Sequence, residues 1–138
     1  MPSELLFARF GPVNLEPKNS IGAKWPRLLD ALDLAATVAG RRTAIKMHLG
    51  GGTGFTTIHP VFVRQLVEKV RAAGAKEVFV TDSPGAVRSA VARGYTAETL
   101  GCAIVSATGT ADRYVRSTPI DPAVLHLDRV EIAGEKNA

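Results

Sequence analysis

Residues that commonly bind anions are concentrated in one short part of the chain, where Lys46 and His48 precede the glycine-rich segment 50–54. Glycine leaves the backbone N–H groups of a turn open to a ligand and adopts positive φ without strain. A helix that begins near Pro60 would add the partial positive charge of its N-terminus. We therefore expect a phosphate or carboxylate group to bind at Lys46, Gly50, Gly51, Gly52, Thr53 and Gly54.

The alternative for the glycine-rich segment is a flexible turn without a ligand, because glycine clusters often separate two elements. Its spacing matches neither the dinucleotide fingerprint nor the P-loop, so no nucleotide is specified. The sequence therefore leaves open the identity of the anion and of any cofactor.

Asp82 and Ser83 follow the next predicted strand, at the edge where ligands bind in parallel sheets. A buried ammonium group is costly without a partner, so Lys46 must meet a carboxylate such as Asp82 or a bound anion. Asp82 and His48 are also the candidate catalytic residues, either of which would transfer a proton, and Ser83 is a further candidate ligand contact. As an alternative, Asp82 would cap the helix that begins at Pro84.

Metal binding is considered for His48 and His59, with Asp82 as a third ligand. His59 has an alternative role, since it precedes Pro60 and would cap or pack against the following helix. Cys102 is the one cysteine, so this chain alone can ligate no iron–sulfur cluster. We interpret Cys102 as a buried, inert thiol because an apolar strand follows it.

The elements that position these residues alternate between strands and helices. Apolar runs predict strands at residues 4–10, 43–49, 77–81 and 103–106, with a further edge strand at 126–133. Apolar residues at helical spacing predict helices at 26–40, 60–74 and 84–93, whereas residues 11–24 are expected to form a surface loop. Such alternation predicts an α/β fold of three layers, with a mostly parallel sheet and helices on both faces.

The composition, 46% hydrophobic and 22% charged, is typical of one globular domain, expected here to span residues 1–138. No segment resembles a membrane span or a secretory signal, and we expect a cytoplasmic protein. The net charge of +4 is spread over predicted helix surfaces without a basic run, which does not favour nucleic-acid binding.

The motif Thr43-Ala-Ile-Lys-Met-His-Leu-Gly50, the pair His59-Pro60 and the strand Val78-Phe-Val-Thr-Asp82 occur in an order that resembles the domain of unknown function 362 family. The resemblance starts near Ala8 and is to the N-terminal half of that family. It implies a redox or iron–sulfur setting, since members are often found with ferredoxin-type segments. This chain has glycine where an acidic residue is expected after His-x-Gly, and it lacks cluster cysteines.

Family members usually continue into a second half, so the chain is expected to pair with another copy or subunit, or to be a truncation. The leading hypothesis is a module that binds a small anionic molecule. Two alternatives are an enzyme that uses Asp82 or His48 in proton transfer, and a non-catalytic subunit that completes its sheet with a partner.

Overall fold

The computed structural model of the protein describes residues 5–51 and 55–107. The predicted edge strand at 126–133 and the loop residues Gly52, Thr53 and Gly54 lie outside these ranges. None of the helices in the described ranges has the length and hydropathy needed to cross a membrane.

The described part contains a three-stranded parallel sheet, which confirms the predicted α/β class. Strands β1 (Arg42–Lys46), β2 (Glu77–Asp82) and β3 (Ala103–Ser106) lie in that order across the sheet. Thr43 pairs with Val78 and Lys46 with Thr81, while Phe79 pairs with Ala103 and Asp82 with Ser106. Three of the predicted strands are therefore confirmed, although β1 ends at Lys46 and leaves residues 47–49 to the loop.

Five α-helices accompany the sheet in the described residues. Helix α3 (Pro60–Ala72) matches its predicted bounds closely, because Pro60 occupies the first helical position and Gly74 follows the end with a φ of 88°. Helix α4 (Pro84–Ser89) is shorter than predicted and continues as a 3-10 helix, Ala90–Arg93. The other helices are α1 (Ile21–Asp30), α2 (Leu34–Val38) and α5 (Ala97–Leu100).

The first helix differs from the prediction at both ends. It begins at Ile21, inside the expected surface loop 11–24, because the Ser20 hydroxyl caps it by accepting from the Ala23 N–H at 3.2 Å. Pro26 lies inside the helix and cannot donate to the Gly22 carbonyl, which instead accepts from Gln65 Nε2 at 3.2 Å. A second cap at Asp33 begins α2, so the predicted single helix 26–40 is two helices.

The N-terminal segment is the other departure from the prediction. Residues 5–10 form no strand, although the apolar run at 4–10 predicts one. Leu5 and Phe7 are strongly exposed, and the segment is held to α1 by Lys24 Nζ, which donates to the carbonyls of Arg9 and Gly11. A 3-10 helix, Pro17–Asn19, then leads into α1.

The core lies between the helices and one face of the sheet. Val78 and Val80 of β2 face it, and Val63, Val67 and Val70 of α3 pack within the same cluster of buried side chains. Leu49, Tyr95 and Leu100 are the largest fully buried members, together with Val67 and Val80. Helix α3 is central to this layer, since it contacts α1, α2, α5 and β2.

We expect Leu100→Ala to lower the free energy of unfolding by about 2–5 kcal/mol, because Leu100 is fully buried and truncation leaves a cavity. Urea denaturation followed by circular dichroism measures this change. Leu32→Ala is the matched control, since Leu32 is 46% exposed and its truncation should cost much less. Equal losses for the two variants would show that α5 does not contribute to the core as described.

Candidate functional site

The carboxyl ends of β1 and β2 bring together four polar residues, Lys46, His48, Asp82 and Ser83, which we call the sheet rim. Lys46 Nζ lies 3.0 Å from Asp82 Oδ1 and also donates to the Met47 carbonyl at 3.1 Å. His48 Nδ1 lies 3.8 Å from Asp82 Oδ2. The structure therefore gathers the amino group, the imidazole and the carboxylate at one edge of the sheet.

Asp82 is the buried member of the sheet rim, with 5% of its surface exposed. Its Oδ2 accepts from the Leu49 N–H at 2.7 Å, and its Oδ1 accepts from the Ser83 N–H at 2.8 Å. Burial by itself raises the pKa of Asp82, but the Leu49 and Ser83 amides and the Lys46 ammonium outweigh it, so the pKa lies below its ordinary value. Asp82 is therefore an ionised anchor for the loop that follows β1.

Ser83 occupies the N-cap position of α4 but makes no side-chain capping bond. The alternative role of Asp82 as the helix cap is therefore wrong, because the residue at that position is Ser83. The Ser83 side chain is left at the exposed end of the rim.

The loop between β1 and α3 is held at both ends by the segment that follows α4. Arg93 Nε donates to the Leu49 carbonyl at 2.8 Å, and the Tyr95 hydroxyl donates to the carbonyl of Ile58. The Leu49 peptide groups are thus fixed on both sides, by Asp82 through the N–H and by Arg93 through the carbonyl.

The first two glycines of the loop have different environments. Gly50 is buried with a φ of 75°, and a Cβ there would lie 2.8 Å from Thr57 Cγ2 and 3.1 Å from Arg93 Nε. Gly51 is exposed, and a Cβ there would meet no atom of the described residues within 4 Å. Gly50 thus makes the turn, whereas the backbone of Gly51 is open to an approaching molecule.

His59 is engaged as a helix cap. Its Nδ1 accepts from the Val61 N–H at 3.3 Å, and its ring packs edge-on against Phe62 at a centroid distance of 6.5 Å. Within residues 5–51 and 55–107, no group of three His, Cys, Asp or Glu side chains could hold a metal ion. The structure brings His48 and Asp82 together, but it does not bring His59 to them as a third metal ligand.

Cys102 is buried, as the sequence predicts. Desolvation raises the pKa of its thiol, which outweighs the lowering effects of Arg71 and of a backbone hydrogen bond with Val80. A protonated, buried thiol is a weak nucleophile and a poor metal ligand.

Arg93 and Tyr95 are the site residues that sequence reasoning missed. Arg93 is a basic residue in the last turn of a helix, a position that usually reflects only the helix dipole. Tyr95 follows a glycine with a φ of 81°, which marks a chain reversal but gives no indication of its contact with Ile58. Both contacts cross more than 35 residues of sequence, so local pattern could not reveal them.

The protein has a parallel α/β fold, and the four residues of the sheet rim lie at the carboxyl ends of two of its strands. Parallel α/β folds generally bind ligands at this edge of the sheet. A family match, described as Domain of unknown function (DUF362), covers residues 43–136. The chain therefore belongs to this family. The match begins at β1 rather than near Ala8, so the N-terminal residues lie outside it. Comparisons with curated proteins and with solved structures found no match.

We expect Gly50→Ala to lower the free energy of unfolding by about 1–3 kcal/mol, because the new Cβ would meet Thr57 and Arg93 at a positive φ. Chemical denaturation of the full chain measures the change. Gly51→Ala is the control, since open space surrounds that position and the cost should stay below about 1 kcal/mol. If Gly51→Ala proves equally destabilising, the distinction between the two glycines does not hold.

Asp82 should make the stability of the protein depend on pH. A folded-state pKa below the unfolded value contributes stability above the unfolded pKa, and this contribution is lost as pH falls through the folded pKa. We expect Asp82→Asn to be less stable than the natural chain by about 1–3 kcal/mol at pH 7, with the gap closing below about pH 4. Thermal unfolding from pH 7 to pH 3 measures both.

Glu68→Gln is the control for the pH series. Glu68 pairs with Arg64 on the exposed surface of α3, and such pairs contribute little. A stability gap for Asp82→Asn that stays constant across the series would argue against an ionised, buried Asp82.

Proposed function

We propose that this chain is a cytoplasmic ligand-binding module that holds the anionic group of a small molecule at the sheet rim. The observation that supports this function is the exposure of Lys46 and His48. Both side chains approach the Asp82 carboxylate, yet 63% and 79% of their surfaces remain exposed. Because Asp82 is buried beneath them, an approaching anion meets the ammonium and imidazole groups before it meets the carboxylate.

The loop supplies the second part of the proposed site. The open backbone of Gly51 allows a ligand to approach its N–H group, whereas Gly50 sets the turn that directs the chain there. We propose the Gly52, Thr53 and Gly54 backbone and the Ser83 hydroxyl as further contacts. Neutral N–H and O–H donors beside one ammonium group suit a phosphate or a carboxylate.

Binding is favoured over proton transfer by the state of Asp82. A general base works best when its pKa lies near the working pH, and the pKa of Asp82 is lowered instead. Its two oxygens already accept from Leu49, Ser83 and Lys46. An enzymatic role would therefore depend on His48, which is exposed and can reach a substrate.

A subunit role is the second candidate, and the free edges of the sheet favour it. Within the described residues, β1 and β3 each have a strand neighbour on one side only. Unpaired strand edges are sites of association with other chains. The family setting suggests an iron–sulfur protein or a second copy as the partner, since this chain has a single cysteine. Light scattering that reports a dimer or hetero-complex would support this role.

The binding proposal predicts that inorganic phosphate binds the full chain and that Lys46→Ala weakens binding about tenfold, or about 1.4 kcal/mol. Lys46→Arg should retain most of the affinity because the charge is kept. Isothermal titration with phosphate, repeated with acetate, measures the affinity and separates phosphate from carboxylate recognition.

Lys76→Ala is the matched control for this titration. Lys76 is exposed and directly precedes β2, so it lies at the amino end of the strand, opposite the rim. An affinity that is unchanged in Lys46→Ala, or reduced equally in Lys76→Ala, removes Lys46 from the site. Absence of heat with both anions at two temperatures, 15 and 35 °C, contradicts the binding function itself.

A further inference from the structure

One face of the sheet carries no helix from the described residues. Both crossovers, β1 to β2 and β2 to β3, step in the same direction across the sheet, so right-handed connections place their helices on one face. The contact of α3 with α5 and the single buried cluster agree with this arrangement. The second helical layer expected from the sequence is therefore not supplied by residues 5–51 or 55–107.

The uncovered face, which we call the open face, has an apolar centre. Ala44, Phe79 and Ala103 are in register and form one row across the three strands. Ala44 and Ala103 are exposed and Phe79 is half-buried, whereas their neighbours Val78 and Val80 on the other face are buried. Small residues on either side of a ring give a surface that another element can approach closely.

Charged residues lie at both strand ends beside this row: Arg42 and Glu77 at the amino end, and Lys46, which is in register with Thr81, at the carboxyl end. Arg42 pairs with Glu77 at 2.8 Å, and its guanidinium lies 5.1 Å from the centroid of the Phe79 ring. Toward the carboxyl end, Thr81 and Val105 are half-buried and continue the surface. Sheets made only of parallel strands occur almost exclusively with both faces covered, so water is not the expected occupant of the open face.

The position of the remaining chain identifies a candidate occupant. Residues 108–138 follow Ser106 and Ala107 at the carboxyl end of β3, on the edge of the same sheet. The family match extends to residue 136 and so joins these residues to the strands in one family unit. Their sequence holds the apolar residues needed to cover such a surface: Ile120, Val124, Leu125, Leu127, Val130 and Ile132.

We propose that the open face is the docking surface for this chain's own residues 108–138. Because residues 108–138 are covalently linked to the sheet, their effective concentration at the open face is high. This favours their binding there over the binding of a second copy of the chain. This proposal is independent of the anion site, because the row Ala44, Phe79 and Ala103 lies on the strands and not at the rim.

Cysteine alkylation in the full chain tests this docking. Ala44→Cys places a thiol on the open face, and Ala92→Cys places one at an exposed position after α4. We expect iodoacetamide to modify Cys at position 44 about tenfold or more slowly than at position 92, with light scattering reporting a monomer. Peptide mass mapping identifies the modified thiol, and buried Cys102 should react slowly in both variants.

A second substitution tests whether residues 108–138 cause any protection of the position-44 thiol from alkylation. Val130→Asp, combined with Ala44→Cys, should raise the alkylation rate of the position-44 thiol to that of the position-92 thiol, while Cys102 stays unreactive. The control Arg129→Asp, combined with Ala44→Cys, should leave the rate at position 44 unchanged. The proposal is overturned if the position-44 thiol reacts as fast as the position-92 thiol from the start. Protection that persists in the Val130→Asp variant, or that occurs only in a dimer, would also overturn it.

Discussion

The ionised carboxylate of Asp82 is the interaction on which the arrangement of the rim depends. An ionised group at a buried strand end is tolerated only when hydrogen bonds and a countercharge replace water. Here the Leu49 N–H, the Ser83 N–H and the Lys46 ammonium take that role, and they come from the loop, the start of α4 and the end of β1. Apolar burial is non-directional, so it cannot set these three positions relative to one another. The buried carboxylate of Asp82 sets these positions through directional contacts. The exposed side chains of Lys46 and His48 both lie next to it.

The same logic extends along the loop. Arg93 and Tyr95 hold the carbonyls of Leu49 and Ile58, and both residues belong to the segment that links α4 to α5. Fixing two points of a loop reduces the conformational freedom that a ligand would otherwise have to remove on binding. Gly50 is required directly after the first of these points because Thr57 and Arg93 leave no room for a side chain. These anchors do not use the Gly51 backbone, which is one of the contacts in the proposed anion site.

Much of this arrangement was predictable from local pattern, and the parts that were not share a physical cause. Periodicity and terminators predicted α3 and the three strands, and the carboxyl-end rule predicted that Lys46, His48 and Asp82 would meet. Pro26 is predicted to begin a helix but lies inside α1. The helix tolerates it because the Gly22 carbonyl, which Pro26 cannot bind, accepts a hydrogen bond from Gln65, far along the chain. The strand predicted at residues 4–10 is absent from residues 5–10, because an apolar run gives no information about a pairing partner. The roles of Arg93 and Tyr95 could not be predicted for the same reason, since their contacts with Leu49 and Ile58 depend on the tertiary structure.

The two faces of the sheet therefore have different roles in the structure. The helical face supplies the core and, through Asp82, Arg93 and Tyr95, three contacts that hold the backbone of the loop. The open face contributes Arg42, Ala44 and Phe79, which lie on the other side of the strands. Lys46 and Thr81 both have strand positions on the open face and both contact the loop or the rim. The Lys46 ammonium reaches Asp82, and the Thr81 carbonyl accepts from the Met47 N–H at 3.3 Å. A segment docked on the open face would therefore lie beside the strand position of Lys46, whose ammonium group belongs to the rim.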